Sequence, residues 1–296
     1  MTRGAPFATK DLSYVSYPKP ERFPAIIPVM SKPWQEKWRN QWSLITGATA
    51  GIGLELAKLL AANGSNLVLT ARRTDRLRQI ATDLSSTHQI RVETVAADLT
   101  QPNAATQILD FTRSKTIEVE FLINNAGFGA FGYAHEIPAE KMLEMIQVNC
   151  SAVVHLTRLY TPAMVQRGHG DVLILASLAS FQPVPFNSVY AATKAFDLLF
   201  AEGIAEELRP RGVQVCALCP GSTNTEFQKV ADQPDRVFRS AETAEKVARV
   251  GLEAMAAGKS YVISGFMNNV MKESQRLAPR SLVTKMAANM MRPEKS

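Results

Sequence analysis

The chain has 296 residues, 46% of them hydrophobic and 20% charged, enough apolar material for the core of one large α/β domain with extensions, which excludes global disorder. Its formal charge of +6 sits at the ends: residues 1–42 carry seven Lys/Arg against three acids and residues 266–296 carry six against two, so the stretch between is slightly acidic. With no aromatic and basic stripe through that body, a nucleic-acid-binding core is excluded.

In chain order, the first 33 residues hold six prolines and read as an extended arm. All three tryptophans follow in WQEKWRNQW, and the spacing puts Trp34 and Trp38 on one helix face, where a packing anchor for the arm is favoured over a ligand site. From residue 43 short β-like runs alternate with helical patterns. SLIT (43–46) leads to a helix over 51–63 that stops at Asn63-Gly64. NLVLTA (66–71) precedes the helical DRLRQIATDLSS, IRVETVAAD (90–98) precedes NAATQILDFTRS, and VEFLINNAG (119–127) precedes a long helix starting near Pro138. GDVLILAS (170–177), a helix around Tyr190, GVQVCALCPG (212–221), a helix over 241–257 and SYVIS (260–264) complete the series. Seven nearly continuous apolar strands separated by helices predict an α/β fold, a doubly wound parallel sheet of the Rossmann type with helices on both faces. The expected organisation is a basic N-terminal extension over 1–41, a catalytic domain over 42–265 and a basic, Met-rich C-terminal extension over 266–296.

Three cysteines, Cys150, Cys216 and Cys219, are too few for a disulfide framework and point to a reducing compartment. Cys216 and Cys219 form a CxxC, but on a strand positions three apart face opposite sides, which argues against a shared metal. The four histidines show no metal spacing, so no metal is expected. No cationic segment followed by an apolar run opens the sequence, and no stretch reaches about 18 uninterrupted apolar residues. A soluble, intracellular, cytoplasmic protein is expected.

Ligands of such sheets bind beyond the carboxyl ends of the strands. There, TGATAGIG (46–53) follows the first strand and opens the first helix, and Gly47, Gly51 and Gly53 permit a tight turn and close approach of backbone N–H groups to a pyrophosphate. In SVYAATKAF, Tyr190 and Lys194 stand one helical turn apart, so phenol and ammonium can share a site and the cation favours the phenolate. An isolated YxxxK is better read as a core tyrosine beside a surface lysine; the other motifs decide.

Together with NNAG (124–127), a serine thirteen residues before Tyr190 and PG (220–221), these motifs closely resemble, in order and spacing over about residues 42–265, the classical short-chain dehydrogenase/reductase family. The resemblance implies that Tyr190 is the general acid/base, that Lys194 lowers its pKa and binds the nicotinamide ribose, that Ser177 holds the substrate oxygen, and that Asn149 supports a water-linked proton relay. It further implies a nicotinamide cofactor on Gly47, Thr49, Ala50, Gly51, Ile52 and Gly53, with Asp98 and Leu99 at the adenine, Asn125, Ala126 and Gly127 along the wall, and Pro220, Gly221, Thr223 and Thr225 beside the nicotinamide. Arg72 and Arg73 stand where NAD-binding forms carry an acid, which favours NADP(H) over NAD(H), unless Asp75 serves the ribose.

Phe128, Phe131, Phe181, Val184, Phe186, Phe227 and Phe238 concentrate in the loops after strands four to six and suggest an apolar cleft, suited to a hydrophobic ketone or 3-oxoacyl-type substrate rather than a sugar. The tail holds five of the eleven methionines. Leu282, Val283, Met286 and Met290 can form one apolar face beside Lys285 and Arg292, for packing or an oligomer contact ahead of a weak membrane-surface contact. A homodimer or homotetramer is expected. The leading function is an NADP(H)-dependent carbonyl reductase or alcohol dehydrogenase; the alternatives are a nucleotide-sugar epimerase or dehydratase, and a non-catalytic NADP sensor or scaffold.

Overall fold

In the computed structural model the described residues are 33–231, 241–275 and 277–293. The proline-rich arm up to residue 32, and Phe238, lie outside them. Seven strands form one parallel sheet: β1 (Trp42–Thr46), β2 (Asn66–Ala71), β3 (Val92–Ala96), β4 (Val119–Asn124), β5 (Gly170–Leu175), β6 (Val213–Cys219) and β9 (Tyr261–Ile263), in the order β3-β2-β1-β4-β5-β6-β9. These are the seven strands expected from the apolar runs. Two further strands, β7 (Thr223–Asn224) and β8 (Glu242–Thr243), pair with each other only.

Period-two alternation divides the core between the two faces of the sheet. Leu44, Val68, Leu122, Val172, Ile174 and Ala217 point to one face, where α4 (Ala104–Ser114), α6 (Ala152–Arg167) and α7 (Ser188–Leu208) cover them. Ile45, Leu69, Ile123, Leu173, Leu175 and Leu218 point to the other, beneath α2 (Gly51–Ala62), α3 (Thr74–His88) and α9 (Ala244–Ala256). Cys216 and Cys219 fall on opposite faces, both buried and free, as the strand reading required.

Helix ends follow local chemistry. Gly64 and Gly168 take positive φ (82° and 78°) after α2 and α6, where other residues would be strained. The helix expected over 241–257 begins at Ala244, because the Thr243 hydroxyl accepts the Lys246 N–H (3.3 Å) as its cap. The long helix from Pro138 is three pieces: α5 (Ala139–Ile146), a π-helical turn (Gln147–Ser151) and α6.

The short helix α1 (Trp34–Lys37) ends before Trp38, yet both tryptophans are buried. Trp38 stacks on Phe121 (ring centres 4.4 Å apart, 13° between planes), and its indole N–H donates to Asp171 Oδ2 (2.8 Å). Lys37 Nζ holds the other oxygen of Asp171 (2.8 Å). Among the described residues no helix is long and apolar enough to cross a membrane.

The Trp38 anchor is testable. Trp38→Ala is expected to cost about 3–5 kcal/mol of stability. Trp38→Phe keeps a ring against Phe121 but leaves Asp171 without its indole donor, costing about 1–3 kcal/mol. Urea midpoints at unchanged m-value are the measure; equal midpoints for wild type and Trp38→Ala would remove the anchor.

Candidate active site

The functional motifs meet at the carboxyl ends of the strands. Thr46 ends β1, and its hydroxyl accepts the N–H groups of Asn125 and Ala126 (both 2.9 Å) just past β4. Asn125 Nδ2 returns to the carbonyls of Thr46 (2.8 Å) and Gly47 (3.3 Å). Gly47 (φ 68°) and Gly51 (φ 54°) turn the chain into α2, and a Cβ on Gly53 would meet Gly47 O at 2.6 Å and the Asn125 side chain. Ala50 is the helix N-cap and offers no side-chain acceptor, so the first N–H groups of α2, at Gly51, Ile52 and Gly53, are left for an outside acceptor. Thr225, from the segment after β6, lies against Gly51, within 3.1 Å of where a Cβ would stand. The dinucleotide thus fits this turn on steric grounds: glycines keep the cradle clear, and a helix N-terminus carries partial positive charge.

The two arginines after β2 differ in placement. Arg72 lines a cleft of about 390 Å³ with Ala96, Asp98 and Gln107. Arg73 turns instead to the Gly-rich turn, donating through Nε and Nη2 to Thr49 Oγ1 (3.2 and 3.0 Å) while Nη1 pairs with Glu226 (2.8 Å). Arg76 holds the other Glu226 oxygen (2.6 Å), and these hydrogen bonds hold that carboxyl below its usual range. Asp75 faces solvent, fully exposed. Asp98 lines the cleft and caps its turn by accepting the Thr100 N–H (3.1 Å), whereas Leu99 is buried in the core beneath.

Asn149, Ser177, Tyr190 and Lys194 come together between the ends of β4 and β5 and the start of α7. Asn149 is fully buried in the π-helical turn; its Oδ1 accepts the Phe128 N–H (3.1 Å) and its Nδ2 donates to Phe128 O and Thr193 Oγ1 (both 3.0 Å). Gly127 sits where a Cβ would stand 3.1 Å from Asn149 Oδ1 and 3.4 Å from Lys194 Nζ. Ser177 caps the turn after β5, accepting from Ala179 N (3.1 Å), and its side chain works to lower the pKa of the Tyr190 phenol. Ser180 Oγ ties that turn to the Lys194 carbonyl (2.6 Å). Lys194 Nζ lies 6.0 Å from the centre of the Tyr190 ring and donates to Leu175 O (2.5 Å) and Asp197 Oδ2 (3.0 Å).

Electrostatics adds a larger effect to the one expected. Lys194 does pull the Tyr190 phenol down, but burial outweighs it and leaves the pKa above the ordinary phenol value. Burial also opposes the Lys194 ammonium, but Asp197 and then Tyr190 outweigh it, so the lysine stays charged. At neutral pH the pair is therefore a protonated phenol beside an ammonium, a proton donor at rest. Local spacing could report the cation but not the desolvation.

Pro220 O accepts the Leu178 N–H (2.8 Å), and Gly221 is pressed by Asn268. Thr223 is buried, and its hydroxyl donates to Gly221 O (3.0 Å). Phe227, opening α8 (Phe227–Ala231), packs against Tyr190 (ring centres 5.3 Å apart). Phe131, Val184 and Phe186 cluster with Ala191 and with Met291 from α11 (Arg280–Met291), while Phe128 and Phe181 pack on the main core. The tail therefore packs against these loops, but by a different face from the one expected: Ala287 and Met291 are buried, and Leu282, Met286 and Met290 are exposed. Sequence reasoning passed over Thr193, Asp197 and Glu226. Only Asp197 left a trace, as a lone acid within the apolar run AFDLLF.

The family model for short chain dehydrogenase matches residues 41–236. A very-long-chain 3-oxoacyl-CoA reductase of Mus musculus is 32% identical over 238 residues, covering 78% of this chain and 74% of its own length. One from Pyrenophora tritici-repentis is 36% identical over 205 residues, covering 65% of this chain; the match spans only 58% of that relative's length. Among solved structures, a short-chain dehydrogenase from Sphingobium yanoikuyae in complex with NADPH superposes with a TM-score of 0.74 at 29% identity, covering 86% of this chain and 98% of the other. The strand order, the Gly-rich turn and the match across the sheet agree, and the chain belongs to the classical short-chain dehydrogenase/reductase family.

Proposed function

We propose that the protein is an NADP(H)-dependent reductase of apolar ketones, with a 3-oxoacyl chain as the favoured substrate class. The observation that carries this reading is the Tyr190 phenol with Ser177 and Lys194 beside it, at a mouth walled by Phe131, Val184 and Phe186. The names of the relatives support the acyl substrate, and the NADPH-bound neighbour supports the cofactor. Neither favours the nucleotide-sugar epimerase reading.

The backbone of Gly47, Gly51 and Gly53 and the start of α2 would hold the pyrophosphate, Arg72 the 2′-phosphate, Asp98 the adenine side, and Lys194 the ribose hydroxyls through the N–H that neither Leu175 nor Asp197 uses. Asn125, Ala126, Gly127 and the 220–225 turn would border the nicotinamide. Bound NADPH supplies the hydride. Ser177 and Tyr190 hold the substrate carbonyl oxygen by hydrogen bonds that strengthen as charge develops on it. The phenol then gives its proton to that oxygen, and the Lys194 ammonium stabilises the phenolate left behind. Asn149 fixes the Phe128 backbone and Thr193 around the pair, the position from which a water-linked relay would return the proton. Exposed Leu143 and Ile146 on α5, beside exposed Phe196 and Leu199 on the adjoining α7, support association of copies through that face.

Tyr190→Phe is expected to lower kcat for NADPH-linked ketone reduction by about 10²-fold or more, while NADPH affinity stays near wild type. Retention of more than a tenth of wild-type kcat would falsify the assignment. Arg72→Gln is expected to weaken NADPH about tenfold or more and to leave NADH nearly unchanged, because a charge-assisted contact to the 2′-phosphate is lost. Fluorescence titration decides this, and equal losses for both cofactors would mean that Arg72 does not read the phosphate.

Ending the chain after Gln275 removes α11 and its Met291 contact. KM for long-chain 3-oxoacyl substrates is expected to rise about tenfold more than KM for short ketones, with the mass by light scattering unchanged. An unchanged KM, combined with loss of binding to anionic vesicles, would make α11 a membrane contact instead.

A further inference from the structure

Asp197 is fully buried, and nothing in the mechanism above uses it. Tyr190, Lys194 and Asp197 stand at i, i+4 and i+7 of α7, on one face of the helix. One carboxylate oxygen takes the Lys194 ammonium at 3.0 Å; the other is buried with no hydrogen-bond partner among the described residues. A half-satisfied buried carboxylate is costly, and the next residue, Leu198, already packs in the core. An apolar side chain at 197 would continue that packing without the cost. What the carboxylate adds is a fixed negative charge behind the lysine and a second anchor, with Leu175 O, for its Nζ.

The two anchors occupy two of the ammonium's three N–H groups, which limits the rotamers open to Lys194. The charge works in the opposite sense to the lysine's own. Lys194 alone favours the Tyr190 phenolate, whereas a carboxylate against Lys194 cancels part of that field and restores the neutral phenol. Burial lifts the Asp197 carboxyl to about 6 against the pull of Lys194, so it is ionised across the neutral and alkaline range where Tyr190 would lose its proton. Other titratable groups face the same pocket. Cys150, in the π-helical turn, feels both Asp197 and Lys194, but burial pushes its thiol up to about 12. Cys219, at the end of β6, feels Lys194 and Glu202, and burial raises it further still. Both thiols are neutral at neutral pH, and Asp197 and Lys194 are the charges that act on the phenol among the groups described.

We propose that Asp197 is a positioning residue of the proton-transfer site: it holds the Lys194 ammonium beside Tyr190 and offsets part of its charge, so that Tyr190 keeps the proton that carbonyl reduction consumes. This rests on Tyr190 as proton donor, and the experiment separates the two ideas. Full-length protein carrying ¹³C-labelled tyrosine is titrated by NMR without cofactor, with Tyr190→Phe identifying the resonance. In Asp197→Asn the phenol is expected to begin ionising about one pH unit or more below wild type, since the cation is no longer offset. Asp197→Glu should restore the wild-type behaviour. In the kinetic arm, the alkaline limb of kcat for ketone reduction should move to lower pH in the same variants, by the same amount.

A Tyr190 titration unmoved in Asp197→Asn, or moved as far in Asp197→Glu, overturns the proposal. Should Asp197→Asn not fold, Asp197→Leu is read in its place. Failure of both neutral variants to fold, with Asp197→Glu folded, assigns Asp197 to stability alone and also overturns it. Full activity in Tyr190→Phe would remove the donor assignment, and the NMR shift would still report whether Asp197 sets the state of the phenol.

Discussion

Thr46 and Gly47, at the end of β1, join Asn125 and Ala126, past β4, through four hydrogen bonds of 2.8–3.3 Å, two of them accepted by the Thr46 hydroxyl. The strand order reverses between these two strands, with β2 and β3 laid to one side and β5, β6 and β9 to the other. At such a point the connections diverge and leave a crevice. The Thr46–Asn125 contact sets the width of that crevice at its floor. It also explains why α2 must start with glycines: the Asn125 amide occupies the space that a side chain on Gly53 would need, and Ala126 presses on Gly47. The cradle is shaped by β4 as much as by its own sequence.

From that floor a second chain of contacts runs to α7. Gly127 leaves room for Asn149 and Lys194, Asn149 bonds Thr193, the Thr193 hydroxyl returns to Tyr190 O (2.8 Å), and Ser180 binds Lys194 O. Each link is a short bond between groups with few rotamers, and buried networks of this kind are rigid when satisfied. The π-helical turn belongs to this design, because one extra residue in the turn re-aims Asn149 without ending the helix. Tyr190 and Lys194 are thus fixed from three directions before any ligand arrives.

Much of this was legible in the sequence, and what was not has identifiable physical causes. The seven strands could be read because burial on both faces makes the central runs apolar, and the Gly-rich turn and YAATK because their spacing is local. The β7–β8 pair of two residues each is too short for any period to mark. The π-helical turn differs from an α-helix by one residue in five and leaves the apolar pattern intact. Arg72 and Arg73 are equivalent as neighbours in sequence; only Thr49 and Glu226, brought in by folding, draw Arg73 away from the cleft. In α11 the pattern pointed to the face of Leu282, Met286 and Met290, whereas Met291 is the residue that docks, on Phe131, Val184 and Phe186, more than a hundred positions away in the chain.

The mouth shows how such distant choices combine. Phe186 holds a left-handed backbone (φ 65°), a strained state for a bulky residue that persists only where neighbours enforce it. Its carbonyl accepts the Gly132 N–H (2.8 Å), its ring meets Tyr133 edge-on at 5.1 Å, and Met291 packs into the same small cluster. Phe131 N–H in turn donates to Ala231 O (3.0 Å), which ties the β4 loop to α8 and so to Phe227 over Tyr190. The wall that borders the phenol is therefore a closed circuit of loops, each held by a bond to another. Desolvation by these neighbours, more than any single charge, keeps the proton on the phenol at neutral pH. Substrate access and proton affinity are consequently set by the same residues: a change that opens the apolar wall to water also lowers the cost of the phenolate.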